Sequence, residues 1–327
     1  MADWWIEHGI GESRAALIQG GSIVEAVVEP EGMLRPGTIL QARLVARLPE
    51  RDQGIAAWAE GEALLRPLPT GVTQGSATLI EIVREPIGEP GKPKRALARP
   101  AAPGSEPRPG PTLAERLPEA RPVPPVGPDL LEDAGWSAVL EEAATGAVAF
   151  PGGALRISLT PAMTLIDVDG TLAPALLMIR AADAAAQAIR RLGVAGSIGI
   201  DFPTVGDRQA RQAAAQAIDG ALPQPFERTA VNGFGFLQIV RPRARRSLLE
   251  VVAGDGALAW ARALLRVAER TGGQGPRTLT AHPAVVAELA RRRDWLAMLA
   301  QRIGAGAALQ PDPALAIWAG HVQARFP

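Results

Sequence analysis

The sequence predicts an α/β protein with α+β elements, built from several domains. A small β-barrel of the OB type is inserted ahead of a mixed-sheet α/β domain, and a small α/β domain closes the chain. Three features lead there. Short strand-like runs separated by turn residues fill residues 36–99, the spacing of a small barrel or sandwich. Ten prolines crowd residues 100–128, the composition of a linker. From residue 129 onward, apolar strands alternate with helical patterns.

The elements follow in order. RAALIQGG and SIVEAVVE, residues 14–29, read as two strands joined by a hairpin at Gly20-Gly21. TILQARLVAR, GIAAWAE, ATLIEIVRE and RALARP are the barrel strands, and GEPGK at 88–92 reads as a hairpin turn, since it lacks phosphate-loop spacing. The proline-rich stretch offers one helical turn at TLAERL. LLEDAGWSAVLEEAA is a helix, ALRISLT and AMTLIDVD are strands, and residues 175–192 form an Ala-rich helix. SIGIDF is a strand, DRQARQAAAQAIDGAL a helix and GFGFLQIVR a strand, an alternation that predicts parallel pairing through right-handed crossovers. Beyond residue 250 come a helix at ALAWARALLRVAER, a strand at RTLTA, two helices over AVVAELARRRDWLAMLAQRI and a last strand at ALAIWAG.

A chain of 327 residues can bury a core without disulfides or a structural metal. Its 47% hydrophobic and 21% charged residues are those of a globular protein. With no Cys, the chain has no disulfide scaffold, Cys-ligated zinc, iron–sulfur cluster or Cys nucleophile. The 34 basic and 34 acidic residues cancel, which counts against a general nucleic-acid binder but permits a local basic patch. Nothing resembles a secretory leader and no apolar run approaches ~18 residues, so a soluble cytoplasmic protein without a membrane partner is expected. His8, His282 and His321 are scattered and suggest no catalytic order. The seven Trp read as core or interface anchors.

The informative stretch is Leu165 to Gly170. On a strand, Asp167 and Asp169 share one face while Ile166 and Val168 take the other. The next strand repeats the pattern, with Ile198 and Ile200 inward and Asp201 at its carboxyl end. If the two strands are parallel neighbours, Asp167, Asp169 and Asp201 converge where open α/β sheets bind ligands. Converged carboxylates repel unless a cation sits among them. A small set of hard oxygen ligands favours Mg²⁺ or Mn²⁺. A single Asp after a strand is about as often a helix cap or turn former, but three acids at two strand ends favour a site. Two reactions fit: metal-assisted phosphodiester hydrolysis, in which the metal lowers the pKa of a bound water, and attack by Asp167 on a phosphomonoester.

Two family resemblances bear on these acids. LIDVDGTL is similar to the first motif of haloacid dehalogenase-like phosphatases, which would make Asp167 the nucleophile and Asp169 the proton donor. That likeness stops there, because no Lys follows Lys94 and no later strand ends in an acidic pair. At greater length, FPGGALRISLTPAMTLIDVDG, RAADAAAQAIRRLGVAGSIGIDF and FGFLQIVRPRARRSL resemble, in order, the linked motifs of the ribonuclease E/G family over roughly residues 149–248. More weakly, GTILQARLVARL and GSATLIEIVREPIGEPGKPKRAL resemble that family's RNA-binding OB domain, and residues 255–322 its small C-terminal domain.

The resemblance implies a Mg²⁺-dependent endoribonuclease acting on single-stranded RNA, with Mn²⁺ as an alternative ion. Asp167 and Asp201 match the two metal-binding aspartates, and Asp169 stands where the family has a supporting Asn. Arg208, Arg211, Arg241 and Arg243 match phosphate contacts, though such arginines are as often solvated charges. Trp58 is the one evident stacking ring of the barrel. The implied organisation is 1–34 as N-terminal strands packed on the catalytic part, 35–99 as barrel, 100–128 as linker, 129–250 as catalytic domain and 251–327 as C-terminal domain. Two parts of the family pattern are missing. The 5′-phosphate sensor region is replaced by the proline-rich stretch and one helix, and the zinc-link cysteines are absent, so any homo-oligomer forms without zinc. A non-catalytic RNA-binding relative is the alternative.

Overall fold

The computed structural model describes residues 2–88, 94–124 and 128–326. Most of the turn expected at 88–92 lies outside them. The chain opens with β1 (Asp3–His8), β2 (Glu12–Gln19) and β3 (Ser22–Pro30), an antiparallel meander. Gly20 and Gly21 turn the second hairpin at φ +59° and +80°, a left-handed pair that a side chain would strain.

Next comes a closed five-stranded barrel: β4 (Ile39–Leu48), β5 (Gln53–Trp58), β6 (Gly61–Leu65), β7 (Ala77–Arg84) and β8 (Ala96–Pro100). Its order is β4-β5-β6-β8-β7, with β6 and β8 parallel and β7 returning to β4. Leu44, Leu65, Ile80 and Ile82 fill a core separate from the rest of the molecule. Strand β6, GEALL, carries no sequence signal beyond two inward residues, Ala63 and Leu65, and was not expected.

Residues 101–124, expected as a linker, are packed along the protein. Arg108 pairs with Ile39, and the Gly110 N–H donates to Thr38 Oγ1 at 2.9 Å. The one-turn α1 (Leu113–Arg116) is closed by a Thr112/Glu115 capping box and buries Leu113. Strand β9 (Arg121–Pro122) lies parallel to β1 at the sheet edge, where a Pro costs no ladder bond. Leu113 and Val123 are the apolar anchors that composition alone hid.

The helix expected over residues 130–144 is broken at Gly135 (φ +98°) into α2 (Leu130–Asp133) and α3 (Trp136–Thr145). A six-stranded sheet follows, ordered β10 (Ala147–Phe150), β11 (Gly153–Leu159), β12 (Thr164–Gly170), β13 (Gly196–Asp201), β15 (Phe236–Arg241) and β14 (Glu227–Arg228). Only β12 and β13 are parallel, joined through α4 (Pro174–Arg191). The expectation of parallel pairing throughout is corrected on both sides. The β11–β12 link is too short for a crossover, and β15 returns antiparallel to β13 after α5 (Arg208–Ala221). Helix α4 packs against α5, the inner face of the sheet and β3, so it buries Ala181, Ala182, Ala185 and Ala186, where small side chains permit close approach.

The tail adds α6 (Leu248–Asp255), α7 (Ala257–Arg270), β16 (Gln274–Ala281), α8 (Pro283–Arg291), α9 (Arg293–Ile303), β17 (Ala307–Pro311) and β18 (His321–Phe326). The strand expected over residues 314–320 does not form. Its neighbours β17 and β18 flank β16, while Ile317 and Trp318 line a cavity beside Trp260 and Leu264. One apolar core runs from Ile10 through the six-stranded sheet to Leu299. A buried network of ion pairs joins β1 and β2 to the helices: Arg14 meets Glu7 and Asp129, Arg262 meets Glu12 and Asp255, and Arg270 meets Glu7. The Arg14 guanidinium also lies 4.8 Å from the Trp136 ring centre. Burial, reinforced by Arg14, pulls Arg266 down to about 10. No helix among the described residues is long and apolar enough to cross a membrane.

Candidate active site

The inner face of the six-stranded sheet holds Leu155, Ile157, Ile166, Val168, Ile198, Ile200, Leu237 and Ile239, all buried. Strict alternation therefore sends their neighbours to the other face. That face is open. On it Arg156, Asp167 and Asp201 are exposed, and Phe236 is half-buried.

The register sets these four in one row. Arg156 pairs with Asp167, Asp167 with Asp201, and Asp201 with Phe236 across β11, β12, β13 and β15. The centre of the face is low because Gly199 is there. A Cβ on it would meet Phe236 Cζ at 2.6 Å and Met163 Sδ at 2.9 Å, so the ring lies across the glycine.

The expected meeting of three acids is corrected to a pair. Parallel pairing ends at Asp167 and Asp201. Asp169 lies two residues further along β12, opposite Ala154 on the other neighbour. No group of three metal-ligating side chains occurs among the described residues. The chemistry of the pair still suits Mg²⁺, which is commonly held by one or two carboxylates together with water and substrate phosphates. Among the described residues neither Asp167 nor Asp201 has an ion pair. The one hydrogen bond to the Asp167 carboxylate among the described residues comes from the Val168 N–H at 3.0 Å.

The expected arginines divide. Arg208 opens α5, seven residues beyond the end of β13, and is exposed; Asp207 caps the helix by accepting from the Gln209 N–H. Arg211 turns back and donates to the carbonyls of Val205 and Gly206 at 2.7 and 3.0 Å, so it holds the loop after Asp201. Arg241 and Arg243 are not beside the acids. Arg241 pairs with Gly196, at the opposite end of β13 from Asp201, about 17 Å along the strand. Its Nη1 donates to the Val194 carbonyl at 2.9 Å, and Arg243 is ion-paired to Glu250. Trp58 is half-buried against the barrel core, in a cavity that none of the three aspartates lines. The barrel docks at the far end of the sheet, where the Glu85 N–H donates to the Ala244 carbonyl at 3.2 Å.

Two residues here escaped the sequence reading. Arg156 could have been found from the alternation of Leu155, Ile157 and Leu159 with Ala154, Arg156 and Ser158. Phe234 is 83% exposed, on the turn that joins β14 to β15 at the Asp201 end of the sheet. That turn is built: Asn232 Oδ1 accepts from the Phe234 and Phe236 N–H groups at 2.9 and 3.0 Å, and Thr204 Oγ1 donates to the Phe234 carbonyl at 3.1 Å. Gly235 has φ +93°, and a Cβ there would lie 2.3 Å from the Phe202 carbonyl oxygen. An aromatic between two glycines, in NGFG, was the available signal.

A scan of protein-family models and a search of curated proteins each returned no match to this chain.

Proposed function

We propose that the protein is a metal-dependent endoribonuclease of the ribonuclease E/G type, cutting phosphodiester bonds in single-stranded RNA. One observation carries the reading: Asp167 and Asp201 stand side by side on adjacent strands, exposed on an open sheet face, and neither makes an ion pair among the described residues, although Arg156 is the other register partner of Asp167. Like charges placed directly opposite destabilise a sheet, so a carboxylate pair kept there is best explained by a cation it binds. The two carboxylates would hold Mg²⁺ or Mn²⁺, which when bound polarises a phosphodiester and supplies an activated water.

The remaining work falls to the chain. Arg156, next in the row, offsets charge that develops on the phosphate oxygens. Phe234, held out by its turn, offers a face on which a base stacks. Asp169 stays close enough to influence the pair without belonging to it. The barrel supports the same reading. Its order, with the third strand parallel to the fifth, is that of OB-type barrels, which bind oligonucleotides. An RNA substrate makes the cytoplasm the compartment we propose.

The test is cleavage of a labelled single-stranded RNA with Mg²⁺, with EDTA, and with Asp167→Asn. Cutting that needs both metal and Asp167 is expected. A non-catalytic RNA-binding relative is the second reading, favoured by one observation: Arg211, Arg241 and Arg243 are engaged in holding the fold. RNA binding by well-folded protein that never cuts, with either metal, would decide for it.

A further inference from the structure

A second charged feature lies at the end of the molecule away from the acid pair. A cleft of about 540 Å³ opens between β3, the barrel and residues 241–251. That volume is within the usual range for small-ligand sites, about 300–1,000 Å³. Its lining includes six arginines, Arg35, Arg116, Arg190, Arg241, Arg245 and Arg246, against three glutamates, Glu25, Glu29 and Glu85.

The pairing does not cancel the excess. Glu29 serves two guanidiniums, with Arg35 Nε at 3.0 Å and Arg116 Nη2 at 2.7 Å. Glu25 takes Arg190 at 2.8 Å, and Arg246 bonds Asp255 at 2.8 Å and lies 3.8 Å from Glu85. Arg241 has a backbone carbonyl as its bonded partner, and Arg245 has no ion pair among the described residues. Arg116 also keeps a buried Nη1 without a partner among the described residues. In a chain of zero net charge, Arg241 and Arg245 are thus gathered in one concave place without a carboxylate partner among the described residues, beside Arg35 and Arg116, which share one. Burial holds Arg116 and Arg241 below the ordinary range, the sign of guanidiniums that have lost water. Desolvated planar forks in a cleft suit the oxygens of phosphate.

We infer that this cleft binds a phosphate group, taken up between Arg241, Arg245 and Arg116. The phosphate belongs either to a small soluble compound or to an RNA strand, and the experiment separates the two. The site does not depend on the acid pair, so the measurement uses the full chain carrying Asp167→Asn, in EDTA and low salt. Pyrophosphate and a short single-stranded oligoribonucleotide are titrated by calorimetry. The variants are Arg245→Gln, the double Arg241→Gln/Arg245→Gln, and Arg180→Gln as an exposed control.

Saturable pyrophosphate binding is expected, about tenfold weaker in Arg245→Gln, weaker again in the double variant and unchanged in the control. If the oligoribonucleotide displaces pyrophosphate and is lost in the same variants, the ligand phosphate is carried on RNA. If it does not, the ligand is a small phosphate compound. No saturable binding of either probe, or equal affinity in Arg245→Gln and the unsubstituted cleft, overturns the proposal. Should the double variant fail to fold, Arg245→Gln decides alone, since its side chain makes no ion pair that the fold needs.

Discussion

Replacing Asp201 by Asn should abolish RNA cutting and at the same time stabilise the metal-free protein, whereas at Asp167 the lost repulsion would be offset by the lost attraction to Arg156 on the other side. Asp167 and Asp201 are register partners on neighbouring strands, about 4.8 Å apart at the backbone. Both are exposed, so their repulsion is screened nearly as in water. Two like charges about 5 Å apart at a dielectric near 80 cost about 0.8 kcal/mol. Removing the Asp201 charge, whose other register partner is the uncharged Phe236, returns that energy and raises Tm by about 1 °C. Added Mg²⁺ should do the reverse. At ten times its dissociation constant it stabilises the unsubstituted protein by about 1.4 kcal/mol and leaves the variant almost unmoved. The assay is thermal unfolding in EDTA and across a Mg²⁺ titration, at constant ionic strength so that screening does not change. A variant that melts below the unsubstituted protein in EDTA, or a Mg²⁺ response shared by both, refutes the assignment of the pair as a cation site.

Other outcomes can be stated briefly. Phe234→Ala should leave Tm unchanged, since the ring is 83% exposed, and weaken single-stranded RNA binding by about 1–3 kcal/mol, measured by fluorescence anisotropy. Asp255→Asn should cost about 3 kcal/mol in urea unfolding, because it leaves Arg262, 3% exposed, and Arg246 short of their shared carboxylate. Stability should pass through a maximum on the acid side of neutrality. Burial raises Glu12, Glu85 and Glu269 above 4.5, so their charged forms cost stability that returns as pH falls towards that value. For Asp129 and Asp255 burial acts upward too, but Arg14 and Arg266 for the first, and Arg246 and Arg262 for the second, hold them below 3.8; their contribution is lost as pH falls through the folded values. A urea midpoint that rises steadily below pH 4 would contradict this balance.

Local chemistry made much of this legible. The inward Ile and Val residues of β12 and β13 fix which way Asp167 and Asp201 face, and the parallel pairing then brings them together. Four of the five barrel strands and the Gly20-Gly21 hairpin were readable for the same reason, since alternation and turn residues are short-range signals; β6, with two inward residues, was too short to carry one. The place of Asp169 outside the register pair was not legible, because the end of a strand pairing is a tertiary fact; beyond Asp201 the chain turns away toward α5. The surroundings of the arginines were not legible, because an Arg matches a phosphate or a buried Glu equally well. Only the fold puts Arg243 on Glu250 and Arg241 on the Val194 carbonyl. Ile317 and Trp318 read as strand because they are apolar, yet they cover a cavity instead of joining a ladder.

The inserted barrel also bears on how the chain reaches its native state. Strand β1 must pair with β9, Trp5 against Arg121, across an intervening stretch that contains the whole barrel. Yet the barrel brings its own ends together, Ile39 against Arg108, and Glu29 just before it accepts from both Arg35 and the Leu113 N–H. A barrel that forms first shortens the loop that β9 has to close roughly fourfold, easing the entropy of closure by about 1 kcal/mol. The barrel is then an early folding unit, and the distant edge of the first sheet is a late one. Variants that loosen Leu44 or Ile80 should therefore slow the joining of β1 and β9, although neither residue belongs to that sheet's core.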